Sequence, residues 1–339
     1  MISSDIQIKF FQHLKTLLPP HKSLVDEIAE LLEISNDSSY RRIRGEKFIT
    51  LEEIQKISQH FRVSLDQLLN LQTDAILFHG QLNNYDNSSL EKWLMDMLVQ
   101  LALVAGHKER HIYYLVKDMP PFYHLYHPEL ASFKFFFWSK SILHYESLKG
   151  VKFNLQSDLH QGHIDLCNKI LKLYNCIPTT EIWNEEGINT TLRQIDFYQD
   201  TGLIQSKSDT IRLYQCVLEV IDHLESMAEN GKKFGLHQEP LKDSPEYRFF
   251  VNEIVIGDNT FMGELDNKRI TYLNHSVLYF IASMDKKFND SIFSNLENLM
   301  KKSTLISNTG DKERKLFFNR LRKKVNLRLE ALERSEIRE

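Results

Sequence analysis

The sequence predicts a mainly α protein in two parts, a five-helix bundle followed by a large, mostly helical region with a small antiparallel β element. Three observations predict it. Apolar residues recur three and four apart in stretch after stretch, the period of a helix face. Eight prolines and twelve glycines in 339 residues are too few for a loop-rich all-β chain. One segment, 247–281, breaks the helical period: YRFFVNEIVI is rich in β-branched and aromatic residues, and turn signals follow at Gly257-Asp258-Asn259 and Asp266-Asn267. A prior of about 150 residues per domain fits two domains. The Asn/Asp/Ser-rich stretch 71–89 separates them, giving 1–72 and 73–339.

Taken in order, Ile6, Phe10, Leu14 and Leu17 mark a first helix, stopped by Pro19-Pro20. Ser23 is placed to cap a second, with Asp26 and Glu27 at its positive end and Val25, Ile28, Ala29 and Leu32 on its apolar face. The break at 34–37 leads into a third helix, 38–44, ended by Gly45. Thr50 with Glu53 forms a capping box that opens a fourth, carrying Leu51, Ile54, Ile57 and Phe61, and Ser64 caps a fifth over 65–69. Beyond the junction, 90–104 reads as a helix and 111–116 as a strand. The stretches 131–145, 163–174, 180–198 and 208–230 read as helices. FMGEL and KRITYL pair as a hairpin across Asp266-Asn267, and helices at 291–302 and 311–335 follow. No repeat of about 30 to 45 residues is present, which argues against a helical solenoid.

With 42% apolar and 26% charged residues, the composition is that of a soluble globular protein. No apolar run reaches the roughly 18 residues needed to span a bilayer, and the N-terminus lacks a basic segment followed by an apolar one. Three cysteines (Cys167, Cys176, Cys216) cannot build a disulfide framework, so a reducing, cytoplasmic setting is expected, with Cys167 and Cys176 as core thiols. A net charge of −4 excludes a whole-molecule field that draws nucleic acid, so such a contact needs a local patch. Two stretches qualify. Residues 40–47 carry Arg41, Arg42, Arg44 and Lys47 against Glu46, and residues 312–328 carry eight basic residues against Glu313 alone.

The order of elements in 23–69 is informative. A capped helix containing Ile28-Ala29 turns at 33–36 into a short helix bearing Arg41 and Arg42. A glycine turn, a capped helix and a closing Val-Ser-Leu-Asp-x-Leu-Leu come next. Residues 5–70 thereby resemble the Cro/repressor-type (XRE) helix-turn-helix domain, with Ala29 at the tight helix crossing and Ile34-Ser35 leading into the next helix. The resemblance implies double-stranded DNA as partner, with the helix around 37–44 entering the major groove, where base edges show a unique donor and acceptor pattern. Carried over by position, Asp37, Ser38 and Arg42 face base edges, with Ser39 beside them, and Arg41, Arg44 and Lys47 lie nearer the phosphates. The open N–H groups around Ser23 hold a further phosphate. Arg42 is expected to pair bidentately with guanine, worth about 1–3 kcal/mol of discrimination. Two departures stand out. Glu33 occupies the turn position where the family has glycine, at a cost of about 1 kcal/mol for a left-handed residue, and Gly45 comes about one residue early.

The remaining signals are weaker. His107-x₃-His111 and His160-x₂-His163 pair imidazoles, but Lys108 stands where a metalloprotease helix needs Glu, so no metal is expected. No phosphate loop, nucleophile elbow or Rossmann glycine pattern appears, so neither enzyme activity nor a cofactor is expected. The aromatic block Phe133, Phe135, Phe136, Phe137 and Trp138 reads as core, with the wall of an effector pocket as the alternative. The last helix carries Phe318, Leu321, Val325, Leu329 and Leu332 on one stripe. It reads as packed on its own domain with a solvated basic face, with a dimerisation helix or a second DNA contact as the alternative. The combined expectation is a sequence-specific DNA-binding transcriptional regulator, homodimeric and cytoplasmic. Its C-terminal domain dimerises or senses a small-molecule or peptide effector. A DNA-targeted enzyme and an antitoxin-like interaction protein are the competing readings.

Overall fold

The computed structural model describes residues 3–18, 22–61, 63, 65, 76–80, 89–156, 162–254, 257–276 and 278–336. The chain divides into two compact units, Met1–Ile76 and Leu77–Glu339. The division falls inside the stretch expected as a linker, and part of that stretch is built into the second unit as a short strand, His79–Gly80.

In the first unit, helices α1 (Ser3–Leu17), α2 (Leu24–Leu32), α3 (Asn36–Ile43) and α4 (Leu51–Phe61) surround a core of Phe10, Phe11, Leu14, Leu24, Ile28, Leu32 and Ile57. On α1 the buried stripe is Gln7, Phe10, Phe11 and Leu14, so Ile6, expected inside, is exposed. The Pro19-Pro20 stop and the body of the fifth helix expected at 65–69 lie outside the described residues. Caps fix the helix starts. Ser23 Oγ accepts from Asp26 N, Ser35 Oγ accepts from Ser38 N, and Thr50 and Glu53 exchange two hydrogen bonds as a capping box. Glu33 closes α2 in the left-handed region at φ 55°, and its N–H reaches the Ala29 and Glu30 carbonyls.

The second unit is mostly helical, but its β element is larger than the small antiparallel one expected. Strands β1 (His79–Gly80), β2 (Arg110–Leu115), β3 (Thr179–Trp183), β4 (Tyr247–Val251), β5 (Thr260–Leu265), β6 (Lys268–Asn274), β7 (Phe280–Ser283) and β8 (Thr304–Leu305) form one sheet, in the order β1-β7-β6-β5-β2-β3-β4-β8. The β2–β3 and β3–β4 pairs are parallel and the others antiparallel. The hairpin joining β5 to β6 turns at Asp266, itself left-handed, with Leu265 opposite Lys268.

Helix α5 (Ser89–Ala105) precedes β2; α6 (Pro121–His124), α7 (Pro128–Phe137) and α8 (Ile164–Asn175) run between β2 and β3, and α9 (Asn189–Asp200) and α10 (Lys207–Asn230) between β3 and β4. Helices α11 (Lys286–Lys301) and α12 (Asp311–Glu336) come last. Helices cover both faces of the central strands. One face joins the main core, and the other packs Leu115, Ile182, Phe250 and Met262 against Leu296 of α11.

One correction concerns β3. The sequence reads 180–198 as a single helix starting at Thr180, yet Thr179–Trp183 is a strand buried at all five positions. Thr-Thr, Ile and Trp suit a strand flanked on both sides, and the misleading residue is Glu181, which resembles a helix-opening acid. Its carboxylate is fully buried, accepting from the hydroxyls of Tyr123 (2.5 Å), Tyr174 (2.5 Å) and Tyr247 (2.9 Å) and from the Trp183 indole (2.6 Å). Lys233, also buried, donates to the Tyr174 carbonyl and to Thr179 Oγ1, and burial holds its ammonium well below the usual lysine range. This polar knot satisfies a charge that would otherwise cost several kcal/mol to bury.

Candidate nucleic-acid interface

The α2-turn-α3 segment is held from three sides. Ser39, fully buried, donates to the Val25 carbonyl and so locks α3 onto α2. Asn36 Nδ2 donates to Asp26 Oδ1 at 2.9 Å across the turn. From α1, the Gln7 amide donates to the carbonyls of Arg42 (2.7 Å) and Lys47 (2.8 Å) while its oxygen accepts from Ile49 N. Gln7 fixes where α3 ends and how the following turn leaves it, a role that the sequence reading missed.

Arg42 does not face outward. Its side chain is 6% exposed and makes a bidentate pair with Glu53, Nε to Oε2 at 3.0 Å and Nη2 to Oε1 at 2.6 Å. The third contact runs from Nη1 to the Ser38 carbonyl within α3. The capping box already fixes the Glu53 carboxylate at the start of α4, so Arg42 finds a preformed partner. The guanidinium holds the Glu53 carboxyl below the usual carboxylate range. The guanine contact expected of Arg42 therefore cannot form without breaking this pair, and Ser39 is likewise turned into the bundle.

The exposed face of α3 is Asn36, Asp37, Tyr40, Arg41 and Arg44, the spacing of a helix stripe, with Ser38 half-buried at its edge. Tyr40 is the group on this face that the sequence reading passed over; the i, i+4 spacing to Arg44 was the available signal. The Arg44 guanidinium lies 5.3 Å from the Tyr40 ring centroid. Among the described residues, the ion-pair partner of Arg41 and Arg44 is Glu46, loosely at 4.0 and 3.7 Å, in pairs that are about half exposed on both sides. Such pairs exchange readily for a phosphate. Lys47 is exposed beside them.

At Ser23 the hydroxyl is engaged as a cap, and Asp26 and Glu27 crowd the first turn of α2, where Glu27 is paired with Lys22 and His60. Two carboxylates there oppose an anion, so this helix end is a poorer phosphate seat than the sequence suggested.

The second basic stretch has another fate. Phe317, Phe318, Leu321 and Val325 of α12 are buried against the second unit. Arg320 meets Glu185, Arg322 meets Asp222 and Glu225, and Arg328 meets Asp196 at 2.9 Å through Nε. The expected solvated basic face is largely an ion-paired seam.

The other candidates resolve simply. His107 bonds the Leu103 carbonyl, whereas His111 meets Thr180 and is pushed down to about 4 by burial; His160 lies outside the described residues. Cys167 is buried as expected, but Cys176 is exposed. Phe133, Phe136 and Trp138 are buried in the core as expected, and Phe135 of the same block, also buried, lines a cavity of about 210 Å³ with Tyr126 and Cys167. Among the described residues, no helix is long and apolar enough to cross a membrane.

No curated protein and no solved structure matches this chain. Residues 11–85, less than a quarter of the sequence, match the family described as the BetR domain. The N-terminal region is thus similar to a small helical, DNA-binding-like domain of regulators.

Proposed function

We propose that the protein is a sequence-specific DNA-binding transcriptional regulator that reads the major groove with α3. The observation that carries this reading is the outward face of α3, where Asp37, Tyr40, Arg41 and Arg44 stand together beside Lys47. In this reading Asp37, Ser38 and Tyr40 approach base edges near the helix N-terminus. Arg41, Arg44 and Lys47 reach phosphates or guanine, and Arg42 positions α3 through Glu53. The similarity of residues 11–85 to the BetR domain supports it. The second unit regulates or dimerises the first and performs no chemistry. A homodimer follows from the small reach of one such bundle, since specificity requires two half-sites about 34–36 Å apart.

Selection of bound fragments from a random DNA library by the full-length protein tests this. A shared two-fold sequence, lost when Arg41 and Arg44 are both replaced by Ala, is the expected result. Enrichment of no sequence overturns it. A protein-interaction role draws on Phe48 and Leu51, exposed at 66% and 79% on the same unit, and is favoured if no DNA is retained.

A further inference from the structure

A cavity of about 570 Å³ lies within the second unit between α5 and one face of the sheet. Its sheet wall is a single register row: His79, Ala282, Tyr272, Phe261 and Tyr114 sit opposite one another in turn across β1, β7, β6, β5 and β2. Its helix wall is a stripe of α5, with Trp93, Met97, Gln100 and Leu101 at helical spacing. Where the cavity ends, α5 packs so close to the sheet that a Cβ on Gly263 would lie 3.2 Å from Val104.

The walls are apolar apart from a few groups that converge on the space. Tyr114 is 97% buried at the opposite end of that register row, and no hydrogen bond among the described residues reaches its hydroxyl. Tyr272 donates to Gln100 Oε1 at 2.7 Å, which fixes that amide and leaves its NH₂ to donate. Asp96 stands on the exposed side of the lining, and no lysine or arginine is among the described lining residues. A volume in the 300–1,000 Å³ range typical of small-molecule sites, apolar walls and a few fixed polar groups form a binding site, not a packing fault.

The geometry points to a site for an uncharged, largely apolar small molecule carrying one hydrogen-bonding oxygen. Its body lies against Phe261, Tyr272 and Met97, and its oxygen meets the Tyr114 hydroxyl or the Gln100 amide. An anion buried against these apolar walls would find no lysine or arginine among the described lining residues to pair with. This deepens the regulatory role proposed above for the second unit by naming the chemical class it senses.

The test is a titration of the full-length protein with Nile red, a flat, uncharged dye with one ring carbonyl, without DNA present. Saturable one-to-one binding is expected. Met97→Trp, which fills the cavity, weakens it at least tenfold, and Tyr114→Phe, which keeps the shape, weakens it about three- to tenfold. Val99→Trp, on the exposed side of α5, leaves it unchanged. An anionic dansyl fatty acid binds at least tenfold more weakly than the neutral dye. Absence of saturable binding, binding indifferent to both Met97→Trp and Tyr114→Phe, or equal affinity for the anionic probe overturns the assignment. DNA affinity measured with the dye bound then tests the regulatory reading separately. An unchanged affinity removes regulation through this site while the site itself stands on the dye titration.

Discussion

The two basic stretches look alike in sequence and end in opposite states. Residues 312–328 carry more cations, yet α12 docks on its own unit and spends Arg320, Arg322 and Arg328 on Glu185, Asp222, Glu225 and Asp196. Residues 40–47 carry fewer, yet Arg41, Arg44 and Lys47 remain exposed, the two arginines with Glu46 loosely beside them. A basic run acquires its meaning from the acids that other elements bring to it. Those acids lie 97 to 135 residues away in sequence, beyond any local pattern. Arg42 is the exception inside the first stretch, since it has been drawn into the bundle by Glu53.

The contrast can be broken by substitution, and the largest effect belongs to Arg42. Arg42→Ala leaves a half-buried carboxylate at Glu53 and is expected to lower the protection of α2 to α4 amides by about 2–4 kcal/mol in hydrogen exchange on the full chain. Unchanged protection would show that the pair is dispensable. Next come Arg41→Ala, Arg44→Ala and Lys47→Ala. Each is expected to reduce the slope of log affinity against log salt by about one while changing stability by no more than about 0.5 kcal/mol. Filter binding across a salt series measures both the slope and its additivity.

Arg328→Ala supplies the control from the other stretch. It should leave the salt slope untouched and lower the thermal stability of the second unit by about 0.5–1 kcal/mol, because Arg328 and Asp196 are each about a third exposed. A reduced slope would reopen α12 as a second DNA contact.

The smallest effect is a pH dependence. Arg42 holds the Glu53 carboxyl below its ordinary value, so the pair's contribution is fully present above the unfolded carboxylate range of about 4.3. It disappears as pH falls through the lowered folded value. Acid titration of the α2–α4 amide protection should therefore show an extra loss below about pH 4 in the native chain that is missing in Arg42→Ala.

Much of the first unit was legible because its signals are local. The Ser23 cap, the Thr50–Glu53 capping box and the left-handed turn at Glu33 each involve residues within three or four positions. The strand at 110–115 and the hairpin at Asp266 were legible for the same reason. The face of α3 was harder. Consecutive residues on a helix point about 100° apart, so a placement by analogy that is off by one exchanges the buried Arg42 for the exposed Arg41. The strand Thr179–Trp183 was hidden because its acid is paid for by three tyrosines contributed by other elements. The ladder that lines the cavity joins strands spread from residue 79 to residue 282, and only the folded register brings them into one row.

Gln7 carries a consequence for modularity. Its amide engages backbone groups of Arg42, Lys47 and Ile49, so the first helix holds the exit of α3 through one side chain. The α2-turn-α3 pair is therefore not a portable cassette. Moved alone into another scaffold, residues 24–44 would lose both the grip of Gln7 and the carboxylate of Glu53. The smallest transplantable reading head runs from the first helix through the start of α4, and any exchange of specificity between proteins of this build has to cut outside those two anchors.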